Sequence, residues 1–433
     1  MTGTPGTPRV LGTPGTPRLL RAMNDRAALD LLLEHGTLSR TRIGKLTGLS
    51  KPTASQLLAR LEAAGLVLAT GTTTGRPGPN AQLYSVNPAA AHVAGLDVTT
   101  ERIRAAVADV TGRTVGSFTL PTPRHRAGSA VEQVVRALDG AVEAAGLSRS
   151  DLHRVVIGTP GAFDPGTGRL RYARHLPGWH SPSLLDELAA TLPMPLVYDN
   201  DVNLVAVAEQ RVGAARGHDD FVLLWNEEGI GAAIVIGGRL HRGRTGGAGE
   251  VGFLPVPGTA LVRDVAKANN GGFQELVGCN AVLRVARELG IDPPGGTWAE
   301  SAAALLATAR QRYESAGRDA TEGGAGQEAA AGRDGRAGDA DPYLELLARC
   351  ATGHAIGLAS MVAVLDPGLI VLSGDVTMAG GEPLRALIQS ELAELAVPRP
   401  RLVLGAVQAH PVLSGALESA LATTRDEVFD TSR

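Results

Sequence analysis

From Val93 to the C-terminus, short runs of β-branched and aliphatic residues alternate with longer Ala- and Leu-rich stretches. This alternation restricts the fold more than any other feature. Runs at 93–98, 103–109, 154–158, 195–198, 221–225, 231–236 and 369–373 have strand length and composition, and the stretches between them have helix length. Strands alternating with helices predict an α/β body built in layers. At 433 residues the chain can hold two or three domains. Two distant cysteines, Cys279 and Cys350, provide neither a disulfide framework nor a Cys-rich zinc site. With no 18-residue apolar run and no charged-then-apolar leader, the expected location is cytoplasmic.

The residues before Val93 follow other rules. The unit GTPGTPR occurs twice, at 3–9 and 12–18, and Pro and Gly at that density predict a disordered tail over 1–22. Residues 23–70 read as three short helices. Leu29, Leu32 and Leu33 form the inner face of the first. The second starts at Ser39, turns Ile43 and Leu46 inward and stops at Gly48. Ser50 is a good N-cap for the third, whose first turn holds Pro52 and whose inner face is Leu57, Leu58 and Leu61. A hairpin with the Gly/Pro-rich tip GTTTGRPGPN follows.

This is a winged helix-turn-helix pattern over 23–89. It places Lys51, Thr53, Ser55 and Gln56 on the outward side of a recognition helix, near Ser50 and Arg40, with Arg76 on the wing tip. Gln pairs with adenine bidentately, Lys and Ser reach phosphate or guanine, and a wing-tip Arg suits a minor groove. Charge supports the assignment. Residues 1–88 hold ten Lys/Arg against four Asp/Glu, a net of +6, so a total of −3 leaves −9 on residues 89–433. A basic head on an acidic body fits a DNA-binding module joined to a domain of another kind. The simpler alternative is a helical domain serving only protein contacts.

Within the body, LVYDNDVNLVAVAE (196–209) ends a strand-like run in Asp199-Asn200-Asp201. Such a cluster either caps its own turn or holds a ligand. The segment 314–341, rich in Gly, Asp and Glu, reads as a flexible insertion.

The segments IGTPGAFDPGTGRL (157–170), PLVYDNDVNLVAVAE (195–209), GIGAAIVIGGRL (229–240), GGAGEVGF (246–253) and DPGLIVLSGDV (366–376) stand in the order seen in ROK proteins, a family of sugar kinases and sugar-related repressors. The head, with GLSKPTASQLLARLEAAGLV and GRPGPNAQLYSVNP, resembles the repressor branch. The resemblance implies a winged helix-turn-helix followed, over 90–433, by a two-lobed actin-like ATPase fold with a ligand cleft. It further implies that Asn200 and Asp201 bind sugar hydroxyls, with Asp201 in the general-base position of the kinases, and that Glu250, Glu275 and the backbone at Pro160-Gly161 complete the sugar site. Asp199 then supports the turn.

The phosphate side departs from the family. Its Asp-x-Gly-Gly-Thr loop corresponds to Asp97-Val98-Thr99-Thr100-Glu101, and its Gly-Thr-Gly-Ile-Gly loop to Glu227-Glu228-Gly229-Ile230-Gly231. Glycines that let backbone approach phosphate are lost, and carboxylates would face a polyphosphate. The adenosine-side Gly-Gly becomes Gly374-Asp375. The family's zinc ligands correspond to Phe253, Ala266, Ala268, Phe273 and Glu275, so no structural metal is expected and Phe253 and Phe273 should pack in its place.

The resulting expectation is a DNA-binding regulator on an inactive kinase scaffold. It would be a homodimer or homotetramer on a palindromic operator, answering to a sugar or sugar derivative and needing no cofactor. Two alternatives stay open: an active sugar kinase that also binds DNA, and a regulator that has lost its small ligand.

Overall fold

The computed structural model describes residues 17–72, 81–122, 129–164, 169–171, 179, 183–263, 271–322 and 341–432. The head is α1 (Pro17–His35), β1 (Leu38–Ser39), α2 (Arg40–Thr47), α3 (Lys51–Ala63), β2 (Val67–Thr72) and β3 (Gln82–Val86). Its three strands form an antiparallel sheet in the order β1-β3-β2. Ser39 caps α2 by accepting from the Arg42 N–H (3.3 Å), and Gly48 ends it in the left-handed region, φ 72°. Ser50 Oγ accepts from the Thr53 N–H at 3.4 Å to start α3.

The body contains two sheets of the same plan. The first lobe holds β4 (His92–Val98), β5 (Arg102–Asp109), β6 (Thr114–Pro121), α4 (Ala130–Ala144), β7 (Leu152–Thr159), the small pair β8 (Ala162–Asp164) and β9 (Arg169–Arg171), α5 (Leu184–Thr191), β10 (Leu196–Asn200) and α6 (Asp201–Val212). The second holds β11 (Phe221–Asn226), β12 (Ile230–Ile236), β13 (Arg239–Leu240), α7 (Gln274–Val277), α8 (Cys279–Glu288), α9 (Trp298–Glu322), α10 (Pro342–Leu365), β14 (Leu369–Ser373), α11 (Asp375–Leu395) and β15 (Arg401–Leu404). The final helix is α12 (Pro411–Val428). The sheet orders are β10-β7-β4-β5-β6 and β13-β12-β11-β14-β15. In each, the first three strands of the chain run antiparallel and the last two are added in parallel. This duplication makes two lobes whose parallel strands end towards one cleft, where ligands of open α/β sheets bind.

One apolar cluster lies between the lobes. It joins Val93, Ala106 and Val156 of the first sheet to Phe221, Leu223 and Val371 of the second through α6 and α12. The second lobe has its own core on α8–α11. Among the described residues, α10 is the one helix long and apolar enough to cross a bilayer, and its Leu346, Leu347, Ala351, Leu358 and Val362 lie in that core.

Four expectations need adjustment. Helix α1 begins at Pro17, inside the stretch read as tail, because Pro is tolerated in a first helical turn and the residues after it are helix formers. Helix α9 runs to Glu322, so the segment read as insertion is helical over its first residues; 323–340 lie outside the described residues. Leu46 is 38% exposed instead of inward, since an eight-residue helix turns only a narrow face to the core. Strand β6, like β15, lies outside the predicted runs. Its Thr114, Gly116 and Ser117 interrupt the apolar run, and the sheet edge against α4 defines it.

Candidate functional site

In the head, Leu57, Leu58 and Leu61 bury one side of α3, and Lys51, Thr53 and Gln56 are left exposed on the other. Ser55 is half-buried. Its hydroxyl donates to the Lys51 carbonyl (2.9 Å) and lies 3.1 Å from Arg40 Nη1, so Ser55 holds Arg40 beside α3. Ser50 is spent on the N-cap and on the Thr53 hydroxyl at 2.8 Å. Arg40, Lys45 and Lys51 line a concavity of about 400 Å³ between α2 and α3 with Thr41, Gly44, Gly48 and Leu49. Three cations around one depression suit phosphate oxygens. Arg76 lies outside the described residues.

In the body, the end of β10 and the start of α6 build the geometry of the expected ligand site. Asn200 Nδ2 donates to the Gly161 carbonyl at 3.0 Å, while its Oδ1 caps α6 by accepting from the Asn203 N–H at 3.2 Å. Gly161 is at φ 90°, a conformation that favours glycine and lets this backbone approach. Asp201 Oδ1 accepts from the Val202 N–H (2.8 Å). Burial pushes the Asp201 carboxyl up to about 7, with the carboxylates of Glu227, Asp97 and Glu250 adding to the shift. Burial also raises Glu250. Gly161, Asn200, Asp201 and Glu250 are thus brought together. Glu275 is half-buried on α7, its carbonyl accepting from Arg284 at 3.3 Å; its neighbour Gln274 ties α7 to β12 by accepting from the Ile230 N–H at 2.7 Å.

Asp199 does more than support a turn. It is buried, accepting from the Asn200 N–H (2.9 Å) and Asn203 Nδ2 (3.0 Å), and it pairs with Arg242 Nη2 at 2.5 Å. Arg242 follows β13 in the second lobe and opens the loop that leads to Glu250. This ion pair therefore joins the lobes beside the cleft. No sequence signal paired residues 43 positions apart.

At the positions matching the phosphate loops, charge has accumulated. Burial pushes Glu227 up to about 7, and Asp375, Glu228 and Asp97 push it further while Arg102 opposes. Burial raises Asp97 against the pull of Arg104, whose Nη1 lies 3.4 Å from its Oδ2. Arg102 pairs with Glu101 at 3.3 Å. Carboxylates that feel one another across this end of the cleft raise one another's proton affinity. At the positions matching the zinc site, Phe273 is fully buried in the second-lobe core, its ring against Gly357 of α10, where any Cβ would collide with it. Phe253 is half-buried, and Ala266 and Ala268 lie outside the described residues. Among the described residues no group of three or more His, Cys, Asp or Glu is placed to hold a metal ion.

A winged-helix head on a duplicated, two-lobed kinase-like body defines the class, and comparison with known proteins agrees. The ROK family model matches residues 93–280, and the MarR family model matches residues 23–76. The chain is 27% identical over 315 residues to a glucokinase of Halalkalibacterium halodurans, covering 70% of this chain and 86% of that one. It is 26% identical over 275 residues to the xylose repressor of Caldicellulosiruptor bescii, covering 62% and 67%. The fold matches a ROK family transcriptional regulator homologous to the Escherichia coli MLC protein, with a TM-score of 0.63, 18% identity and coverage of 93% and 96%. Residues 93–280 match the ROK domain and are joined to a MarR-type winged-helix N-terminus over 23–76.

Proposed function

We propose that the protein is a sequence-specific DNA-binding transcriptional regulator, a repressor of carbohydrate-related genes acting in the cytoplasm. Its effector is a sugar or sugar derivative held by Gly161, Asn200, Asp201, Glu250 and Glu275, and its cleft no longer transfers phosphate. The observation that carries the reading is the free outer face of α3. Lys51, Thr53 and Gln56 are exposed there with Arg40 beside them, on a head that a kinase does not need. The carboxylates of Glu227, Asp97 and Asp375 support the loss of phosphoryl transfer, with Arg102, Arg104 and His410 opposing them in part. In this role Asp201 is a hydrogen-bond acceptor for a hydroxyl. The binding unit is a homodimer or homotetramer on a palindromic operator, as two-fold symmetric heads require.

The test is selection of bound sequences from random duplex DNA, followed by thermal-shift measurements with glucose, xylose and N-acetylglucosamine in the presence and absence of the selected site. A palindromic consensus and a sugar that raises the melting temperature while releasing DNA are expected, with Asp201→Ala abolishing the sugar response. Sugar-dependent release of ADP from ATP would overturn the non-enzymatic reading. An unchanged operator response in Asp201→Ala would overturn the assignment of the grip.

A further inference from the structure

We propose that α12 carries the state of the cleft to the recognition helix, acting as a strut with His410 at its cleft end and Phe429 and Thr431 at its head end. The proposal deepens the reading of the cleft as an effector site. The cleft end is conformationally unusual. His410 and Asp366 are the two non-glycine residues with positive φ among the described residues, and His410 (φ 51°) stands immediately before Pro411, the first residue of α12. A left-handed residue with a Cβ is strained and persists because its surroundings demand it. The His410 imidazole is exposed and near enough to Asp97 for its charge to bear on that carboxyl. A ligand that moves the first lobe at Asp97 therefore acts beside the start of α12.

The shaft has no slack. Val412, Ala416, Leu417 and Leu421 lie in the apolar cluster between the two sheets. Backbone approaches side chain without a Cβ between them. A Cβ at Gly95 of β4 would sit 3.1 Å from Ala416 and Leu417, one at Gly158 of β7 would sit 2.6 Å from Val412, and one at Gly415 would collide with the Leu204 carbonyl oxygen of α6. Packing of this density transmits displacement instead of absorbing it. Eighteen residues at about 1.5 Å each give a rod of roughly 27 Å.

The far end enters the head. Phe429 is 1% exposed, packed in the same cluster as Leu29, Leu57 and Leu61, with the Arg26 guanidinium 5.8 Å from its ring centroid. Arg26 also pairs with Asp426 at 2.7 Å. Thr431 Oγ1 donates to Asp25 Oδ2 at 3.0 Å, and the other oxygen of Asp25 pairs with Arg60 of α3 at 2.7 Å. A continuous chain of contacts thus runs from His410 through α12, Thr431 and Asp25 to the recognition helix. Coupling between two sites is reciprocal, so a change at either end must register at the other.

The test uses the full-length chain and hydrogen–deuterium exchange without ligand. His410→Gly relieves the left-handed residue and removes the imidazole; Thr431→Val cuts the head-end hydrogen bond. Pro411→Ala serves as a second cleft-end variant. The expected result is that His410→Gly and Pro411→Ala alter exchange of α3 amides by about fivefold or more. Thr431→Val should alter amides at 199–205 and 410–414 by a comparable factor. Changes confined to the mutated end in both directions would overturn the strut. A second arm uses glucose, xylose and N-acetylglucosamine as probes. A sugar that shifts the melting temperature of Thr431→Val as it does the parent, yet no longer releases operator, supports the strut; intact release overturns it. If no sugar of the panel shifts the parent, the effector reading fails for that panel and the exchange arm still decides the strut.

Discussion

Burial holds the carboxyls of Asp201 and Glu227 at about 7, far above the ordinary carboxylate range. A group whose folded-state pKa is raised binds its proton more tightly folded than unfolded. Its stabilising contribution is complete below the unfolded value, near 4.5 for Glu227, and is lost as pH rises through about 7. The chain should therefore lose stability between about pH 5 and 8. Replacing Glu227 by Gln removes its share of that slope and leaves that of Asp201, so Glu227→Gln should be more stable than the parent at pH 8 by on the order of 1–3 kcal/mol and near parity at pH 4. Thermal melts across the range decide this; an offset independent of pH would mean that Glu227 does not titrate in the cleft. The Asp199–Arg242 pair behaves differently because Asp199 is buried and Arg242 is 47% exposed. Arg242→Ala leaves a buried carboxylate with its two amide donors only, and should cost about 1–3 kcal/mol in urea unfolding. Adding Asp199→Asn should recover part of that loss, since the two residues act as one unit.

At the scale of elements, α3 depends on its cap for order and on its outer face for recognition. Ser50→Ala removes the Oγ that accepts the Thr53 N–H, and should destabilise the head by about 1 kcal/mol. Lys51→Ala and Gln56→Ala separate positioning from reading. The first should weaken binding to all duplexes alike and reduce the salt slope by about 1, as loss of one phosphate contact does. The second should relax preference at one base pair, by about 1–3 kcal/mol, with the salt slope unchanged. Fluorescence anisotropy over a salt series with cognate and scrambled duplexes measures both. An equal loss on cognate and scrambled duplexes in Gln56→Ala would place that side chain on a phosphate.

At the scale of the molecule, the body and head are not independent beads. Val110 of the first lobe and Phe429 complete the head's own apolar cluster, and Arg425 Nε donates to the Val110 carbonyl at 2.9 Å. Head and body should unfold in one transition, and Phe429→Ala should split it by destabilising the head by about 3–5 kcal/mol, the usual cost of a buried Phe. Calorimetry of the full chain distinguishes one transition from two; two transitions in the parent would mean that the head melts alone. A dimer in solution should footprint two half-sites whose centres lie about 34–36 Å apart or a multiple of that.

The sequence by itself determined the elements whose causes are local. The strand runs between 93 and 373, the Ser50 cap with Pro52 behind it, the Gly48 stop and the order of the family motifs are all short-range patterns. They follow from side-chain period, capping chemistry and backbone conformation, which a linear reading contains. Asn200 as the cap of α6 follows from the same local logic, a polar residue ending an apolar run. Tertiary structure alone decided which distant residues meet. Arg242 on Asp199, Glu227 facing Asp97 and Asp375, Phe273 against Gly357 and Phe429 inside the head join residues separated by tens to hundreds of positions. Such pairings depend on how whole sheets and helices close around a shared core, and no periodicity in the chain records them.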